Sequence, residues 1–306
     1  MARVFLTRSL PFAAVERLTA HHEVDVWGDA LPPPPEELRR RAADADALLT
    51  LLTDRVDAEL FDAAPKLKVV ANLAVGSDNI DLAEAARRGV AVGVTPGVLT
   101  EATADLTFAL VLAAARRLPQ AAQDVRDGAW RTWEPAGWLG LELHGATIAI
   151  VGAGRIGQAV ARRAAGFGMT VLTVGREDPL EPALAQADVV SLHVPLTERT
   201  RHLIDARALG HMKPTAILVN TARGAIVDQD ALVDALDQGA IAGAALHVTD
   251  PEPLPTDHPL LTTPNVLVVP HIGSATHAAR ERMAEMAVAN IEAGLEGRAL
   301  PHPAPH

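Results

Sequence analysis

The chain has 306 residues, 49% apolar and 21% charged, with 27 Lys and Arg against 38 Asp and Glu for a formal net charge of −11. At roughly 150 residues per domain this length predicts two domains, and the acidic balance argues against general nucleic-acid or anionic-membrane binding, since both partners would repel the chain. There is no cysteine, which excludes disulfides, cysteine-ligated zinc, iron–sulfur clusters and thiol nucleophiles.

The opening MARVFLTRSLPF has no long apolar core of the kind a signal peptide carries and reads as a first strand. Short β-rich runs then alternate with helical patterns, the signature of parallel α/β architecture. Strands are predicted at 4–6, 23–26, 47–50, 68–72 and 90–94, with helices at 13–20, 35–43, 57–63 and 82–88 between them. A long helix follows over 100–118, opening at Thr100 with Thr103 and Asp105 in its first turns. Its apolar run, 106–115, is too short to span a bilayer, so a soluble, cytoplasmic protein is expected. Six further strands are predicted at 147–151, 170–174, 188–194, 216–220, 242–248 and 265–269, and a last helix over 275–295. The apolar positions Met283, Met286, Ala287 and Ile291 of that helix predict that it packs back on the first domain.

Gly152-Ala-Gly154-Arg155-Ile156-Gly157 directly follows the strand TIAIV and opens an Ala-rich helix. In that context GxGxxG carries a mechanism. The first glycine permits the tight turn, the second lets backbone approach a pyrophosphate, and the third lets helix and strand pack closely. The helix N-terminus adds free N–H groups for the phosphates. The expected fold class is therefore α/β with two doubly wound parallel-sheet domains. Residues 1–98 and 283–306 make a discontinuous, flavodoxin-like substrate domain, and 99–282 a Rossmann cofactor domain. The next strand ends Val174-Gly175-Arg176, with glycine where an NAD site usually has its carboxylate. That favours NADP(H) over NAD(H), although Glu177 and Asp178 follow and either can turn back to a ribose hydroxyl.

Ligands in open α/β sheets sit beyond the carboxyl ends of the strands. Arg223 follows the fourth strand of the second set, Glu252 the fifth and His271 the sixth. Histidine titrates near working pH and can protonate a developing alkoxide; a carboxylate can orient it; arginine can hold a substrate carboxylate bidentately. These three types point to reduction of a small 2-keto acid to a 2-hydroxy acid.

The segments VGSDNIDL, TPGVLTEATADL, IVGAGRIGQAVA, SLHVPLT, VNTARGAIVD, DPEPLP and PHIGSAT, spread over about 65–277, resemble the D-isomer-specific 2-hydroxy-acid dehydrogenases. TDPEPLPTDHPLL and PHIGSATH look like the glyoxylate/hydroxypyruvate reductase branch. The resemblance implies that Arg223 binds substrate, Glu252 partners the histidine and His271 is the general acid/base. It also implies that backbone at Val75-Gly76 cradles the substrate carboxylate, near Leu73 and Ser274. The cofactor would touch Thr103, Val194, Pro195, Thr200, Thr221, Ala222, His247 and Gly273, besides the glycine loop, Gly175 and Arg176. A homodimer through the cofactor domains is implied, with Trp138 reaching the partner's active site. Two departures stand out. The family motif usually reads ALDV where this chain has Ala245-Leu246-His247-Val248, and the segment 176–187 lacks most of a usual strand and helix, leaving the adenine side open. The weighed alternatives are a dinucleotide sensor on the same fold without turnover, and a metal hydrolase built on the His- and carboxylate-rich stretch from His247 to His271.

Overall fold

The computed structural model describes residues 1–305. They fall into two compact units: Met1–Leu99 joined by the segment from Ala275 onward, and Thr100–Ser274.

The first unit holds β1 (Arg3–Leu6), α1 (Ala13–His21), β2 (Glu23–Val26), α2 (Pro35–Ala42), β3 (Ala47–Thr50), α3 (Ala58–Ala63), β4 (Val69–Asn72), α4 (Leu82–Arg88), β5 (Ala91–Gly93) and the chain's last helix, α11 (His277–Leu295). Its sheet has the order β2-β1-β3-β4-β5, parallel throughout. β3 and β4 are buried along their whole length, which is why they read as unbroken apolar runs. One face packs Leu6, Leu49 and Ala71 against Met283, Ala287 and Ile291 of α11; the other packs Phe5, Leu48 and Val70 against Phe61.

The predicted stripe on α11 is therefore real but differently composed: Ala284 and Val288 complete it, and Met286 sits half-buried at its edge. The helix is capped by Thr276, whose Oγ1 accepts from Ala279 N at 3.2 Å. Because the helix is continuous from there and Ala279 is already buried, the seam between units falls before residue 275, not between 282 and 283. Asn290, fully buried on α11, donates to the Val94 carbonyl and accepts from His302 N. Gly93 makes room for it, since a Cβ there would lie 2.4 Å from the amide nitrogen.

The second unit holds α5 (Thr100–Ala115), α6 (Leu118–Arg126), β6 (Thr147–Val151), α7 (Arg155–Gly166), β7 (Thr170–Val174), α8 (Glu181–Gln186), β8 (Val189–Leu192), α9 (Ala206–Gly210), β9 (Ile217–Asn220), α10 (Gln229–Asp237), β10 (Gly243–Leu246) and β11 (Val266–Val268). The single helix predicted over 100–118 ends at Ala115: Arg117 takes a left-handed φ of 50°, and Pro119 starts the separate helix α6. The strands predicted at 188–194, 242–248 and 265–269 are shorter, because their last residues leave the ladder to form the loops of the site.

The sheet order is β11-β10-β9-β8-β6-β7, parallel throughout. β7 is an edge strand with two exposed residues. No outer strand lies beyond it among the described residues, since 176–187 is too short for a strand and a crossover helix and supplies only α8. The order reverses between β6 and β8, so the crevice at their carboxyl ends is the place a ligand is expected.

Candidate active site

A cavity of about 670 Å³, within the range of small-molecule sites, opens at that switch point. Its wall includes Gly152, Gly154, Gly175, Arg176, Val194, Pro195 and Thr200 from the sequence reading. Gly152 has φ 106°, and a Cβ on it would strike the His193 backbone at 2.7 Å. At Gly157 a Cβ would lie 2.1 Å from the Gly152 carbonyl oxygen, so only glycine lets α7 come this close to β6. Gly154, the N-cap of α7, is the opposite case: a Cβ there would meet no atom within 4 Å. The space in front of it is open, with the first N–H groups of α7 at its back. This bare backbone at a helix N-terminus fits a dinucleotide's pyrophosphate. Arg155, Ile156 and Gly157 are not on the cavity wall; they begin the helix that forms it.

His193 and Arg199 are wall residues that the sequence reading did not name as cofactor contacts, and Asp178 is one of the two carboxylates it left open. His193, just past β8, accepts from or donates to Ser191 Oγ at 2.9 Å, and burial pushes its pKa down to about 4, so it is neutral. Arg199 adds a second arginine to Arg176. Asp178 turns back on the strand end, its Oδ2 accepting from Gly175 N at 2.8 Å. The motif SLHVPLT contained His193, but nothing in it marked that residue as part of a cavity wall. Thr200 stands on the wall with its hydroxyl committed to its own loop, donating to the Pro195 carbonyl at 2.6 Å and accepting from Thr197 N at 2.8 Å.

The loops after β9, β10 and β11 bring the chemistry together. After β9, Asn220 shapes the turn: its Nδ2 donates to the Arg223 carbonyl and its Oδ1 accepts from Ala222 N. Arg223 then caps a 3₁₀ turn, Gly224–Ile226, with its Nη1 donating to the Ala222 carbonyl at 2.8 Å. A Cβ on Gly224 would lie 2.0 Å from the Thr249 backbone, so glycine is what lets this loop meet the one after β10. Gln229, at the start of α10, holds that second loop at both polar groups of Asp250, accepting from its N–H and donating to its carbonyl. Glu252 Oε1 meets His271 Nδ1 at 2.6 Å. Burial pushes Glu252 up, but the hydrogen bond and charge of His271, with the Thr249 backbone N–H, hold it below the usual carboxylate range. It is thus an anion that orients the ring.

Around His271 lie several residues expected to touch cofactor. Thr103 Oγ1 donates to the Gly273 carbonyl at 3.3 Å, and Thr107 Oγ1 meets Thr221 Oγ1 at 3.0 Å. Gly273 N donates to His247 Nε2 at 2.7 Å. Thr103, Thr221 and His247 are all buried, bracing the loops, and Ala222 and Ser274 are half-buried beside them. In the first unit, Leu73 is buried behind β4, and the loop that follows exposes Val75; Asn72 Nδ2 fastens it by donating to the Gly76 carbonyl. Trp138 is half-buried, with Nε1 donating to Asp124 Oδ2 of α6 at 2.6 Å. Among the described residues no three or more His, Asp or Glu side chains gather as a metal-holding group, and no helix is long and apolar enough to cross a membrane.

Residues 108–273 match the family described as D-isomer specific 2-hydroxyacid dehydrogenase, NAD binding domain. The chain belongs to this family. It is accordingly an NAD(P)-dependent dehydrogenase. It is 52% identical to a glyoxylate reductase of Korarchaeum cryptofilum over 98% of this chain and 95% of that one, and 48% identical to a glyoxylate reductase of Pyrococcus furiosus over 98% and 94%. Among solved structures, the TT0316 protein from Thermus thermophilus superposes with a TM-score of 0.95 at 52% identity, covering 99% of this chain and 100% of that one. An NADPH-dependent glyoxylate/hydroxypyruvate reductase from Sinorhizobium meliloti, in complex with NADP and malonate, gives 0.86 at 32%, covering 99% and 96%. None of these similarities favours a sensor without turnover.

Proposed function

We propose that this dehydrogenase reduces glyoxylate, hydroxypyruvate or a close 2-keto acid to the corresponding 2-hydroxy acid. The observation that carries the reading is the His271–Glu252 pair at 2.6 Å, set beside the Arg223 loop on the carboxyl edge of the sheet that holds the dinucleotide cavity. Similarity to glyoxylate reductases over nearly the whole chain supports the substrate class. A reduced nicotinamide, when bound, would supply a hydride to the carbonyl carbon. His271 gives its proton to the carbonyl oxygen, so that carbonyl, hydride and proton sum to the alcohol, and Glu252 stabilises the imidazolium beforehand. Arg223 holds the substrate carboxylate and polarises the neighbouring carbonyl, with Ser274 and Trp138 shaping the second unit's side of the substrate site.

NADP(H) is the preferred cofactor on this reading. Among the described residues neither Arg176 nor Arg199 has an ion-pair or hydrogen-bond partner, so both wall arginines are available to a 2′-phosphate. Asp178, folded against Gly175, favours the second reading, NAD(H), with its carboxylate taking the ribose hydroxyl. The protein works as a homodimer through its cofactor domains. What supports this is the apolar surface of α6 and the segment after it: Leu118, Val125, Trp130, Trp133 and Leu139 are all exposed.

The deciding experiment follows oxidation of NADPH and NADH with a panel of 2-keto acids. Turnover with glyoxylate or hydroxypyruvate is expected, and His271→Ala should lower it at least about 10²-fold, the scale of general acid–base catalysis. No turnover with either cofactor would overturn the reading.

A further inference from the structure

His247 follows β10, its N–H continuing the ladder to the Asn220 carbonyl at 2.9 Å, and its side chain is only 2% exposed. Its Nε2 accepts from Gly273 N at 2.7 Å, two residues beyond His271. The Gly273 carbonyl accepts from Thr103 Oγ1, so both polar groups of that peptide position are held. A Cβ on Gly273 would lie 3.1 Å from the His247 ring and 3.2 Å from Thr103 Oγ1, which leaves the loop little slack. The His247 and His271 rings meet edge to face, with centroids 4.7 Å apart at 69°.

We propose that His247 is a positioning residue: a neutral acceptor that fastens the loop carrying His271 and places no charge of its own beside that ring. This rests on the reading of His271 as the acid/base. An accepting Nε2 carries no proton, so the neutral ring must be protonated on Nδ1. That atom is buried with no hydrogen-bond partner among the described residues. The charged groups facing the ring are His271, Glu252 and Arg223; α5 presents only the hydroxyl of Thr103, by way of Gly273. Burial, then the charges of His271 and Arg223, push His247 down to about 4 against the pull of Glu252. Protonating it would remove the acceptor for Gly273 and set a cation against His271. The aspartate that the family motif usually has here would add a negative charge beside His271, which the neutral His247 does not.

The test is an NMR titration of the full chain labelled with ¹⁵N-histidine, compared with His247→Asp and His247→Asn. These two variants share a shape and differ by one charge. The midpoint of His271 should lie about one pH unit or more higher in His247→Asp than in His247→Asn, the size expected of an opposite charge within about 4–6 Å. In the unaltered protein His247 should show the Nδ1–H tautomer at neutral pH and stay uncharged while His271 titrates. Equal midpoints in the two variants would overturn the proposal, and so would an Nε2–H tautomer or joint titration in the unaltered protein. The last two need no variant to fold. None of these signals depends on turnover: full activity of His271→Ala would defeat the catalytic reading and leave them standing, whereas equal midpoints with an inactive His271→Ala would defeat only the present proposal.

Discussion

Arg176 stands at the end of β7, exposed and without a partner among the described residues, two positions before a carboxylate that folds back on Gly175. The residue types here were readable in the chain; which of them faced the ligand was not. The sequence placed Gly175 where the ribose-binding carboxylate usually stands, and it offered Glu177 and Asp178 equally as candidates to turn back. Only the backbone turn after Val174 chose Asp178. The outcome is two competing charges at one strand end, and a substitution can separate them. Arg176→Ala should raise KM for NADPH while barely changing KM for NADH; the loss of one charge-assisted contact of about 1.5–3 kcal/mol corresponds to roughly 10- to 100-fold. Steady-state kinetics with both cofactors at fixed glyoxylate checks it, and an equal change for the two would remove Arg176 from any 2′-phosphate site. The pairing of His271 with Glu252 is the contrasting case. Each was predicted from its position after a strand, and the two meet at 2.6 Å because parallel strands deliver successive loops to one edge.

At the scale of elements, the strands were the most legible part. β3, β4, β8 and β9 are buried on both faces, so their apolar runs announced them. The break between α5 and α6 was not legible, because it depends on a left-handed arginine that no composition rule singles out. The ends of β8 and β10 have a consequence of their own, for each delivers a histidine whose charged form the surrounding protein disfavours. Burial comes first in lowering both His193 and His247 from 6.5 to about 4. Between those two values the unfolded chain binds protons that the folded chain does not. Stability therefore falls as pH drops from 6.5 towards 4, and is fully present only above 6.5. Urea unfolding midpoints measured at pH 7 and pH 4.5 should show that fall, and His193→Gln should flatten it. A variant as pH-sensitive as the parent would show that His193 is not held neutral by the fold.

For the whole molecule the net charge of −11 poses a problem, since the proposed ligands are anions too. The fold answers it locally. The cavity lining carries Arg176 and Arg199 beside the N-terminus of α7, against Asp178 and Glu198, so the helix N-terminus tips the balance, and Arg223 stands on the same carboxyl edge. A second whole-molecule feature is the exposed apolar surface after α5. Trp130 is 60% exposed and Trp133 81%, far more than a monomer gains from leaving in water. If the proposed homodimer forms through this surface, replacing both with serine should shift the sedimentation coefficient from that of a dimer towards that of a monomer, with the circular dichroism of the fold retained. A dimer coefficient unchanged by both substitutions would overturn this placement of the contact.

The sequence by itself determined two parallel sheets, a glycine loop for a dinucleotide and a histidine, a glutamate and an arginine for a keto acid. Each of these is written in local terms, as a hydrophobic period, a backbone that only glycine can adopt, or a residue type fixed to a strand end. The tertiary structure decided the rest. It showed that the segment from Ala275, with α11, closes the first unit, that the second sheet stops at β7, and that His247 spends its acceptor on Gly273. Such choices depend on which surfaces distant segments bury against each other, and on which hydrogen bonds remain when water is gone. No stretch of chain carries that information alone.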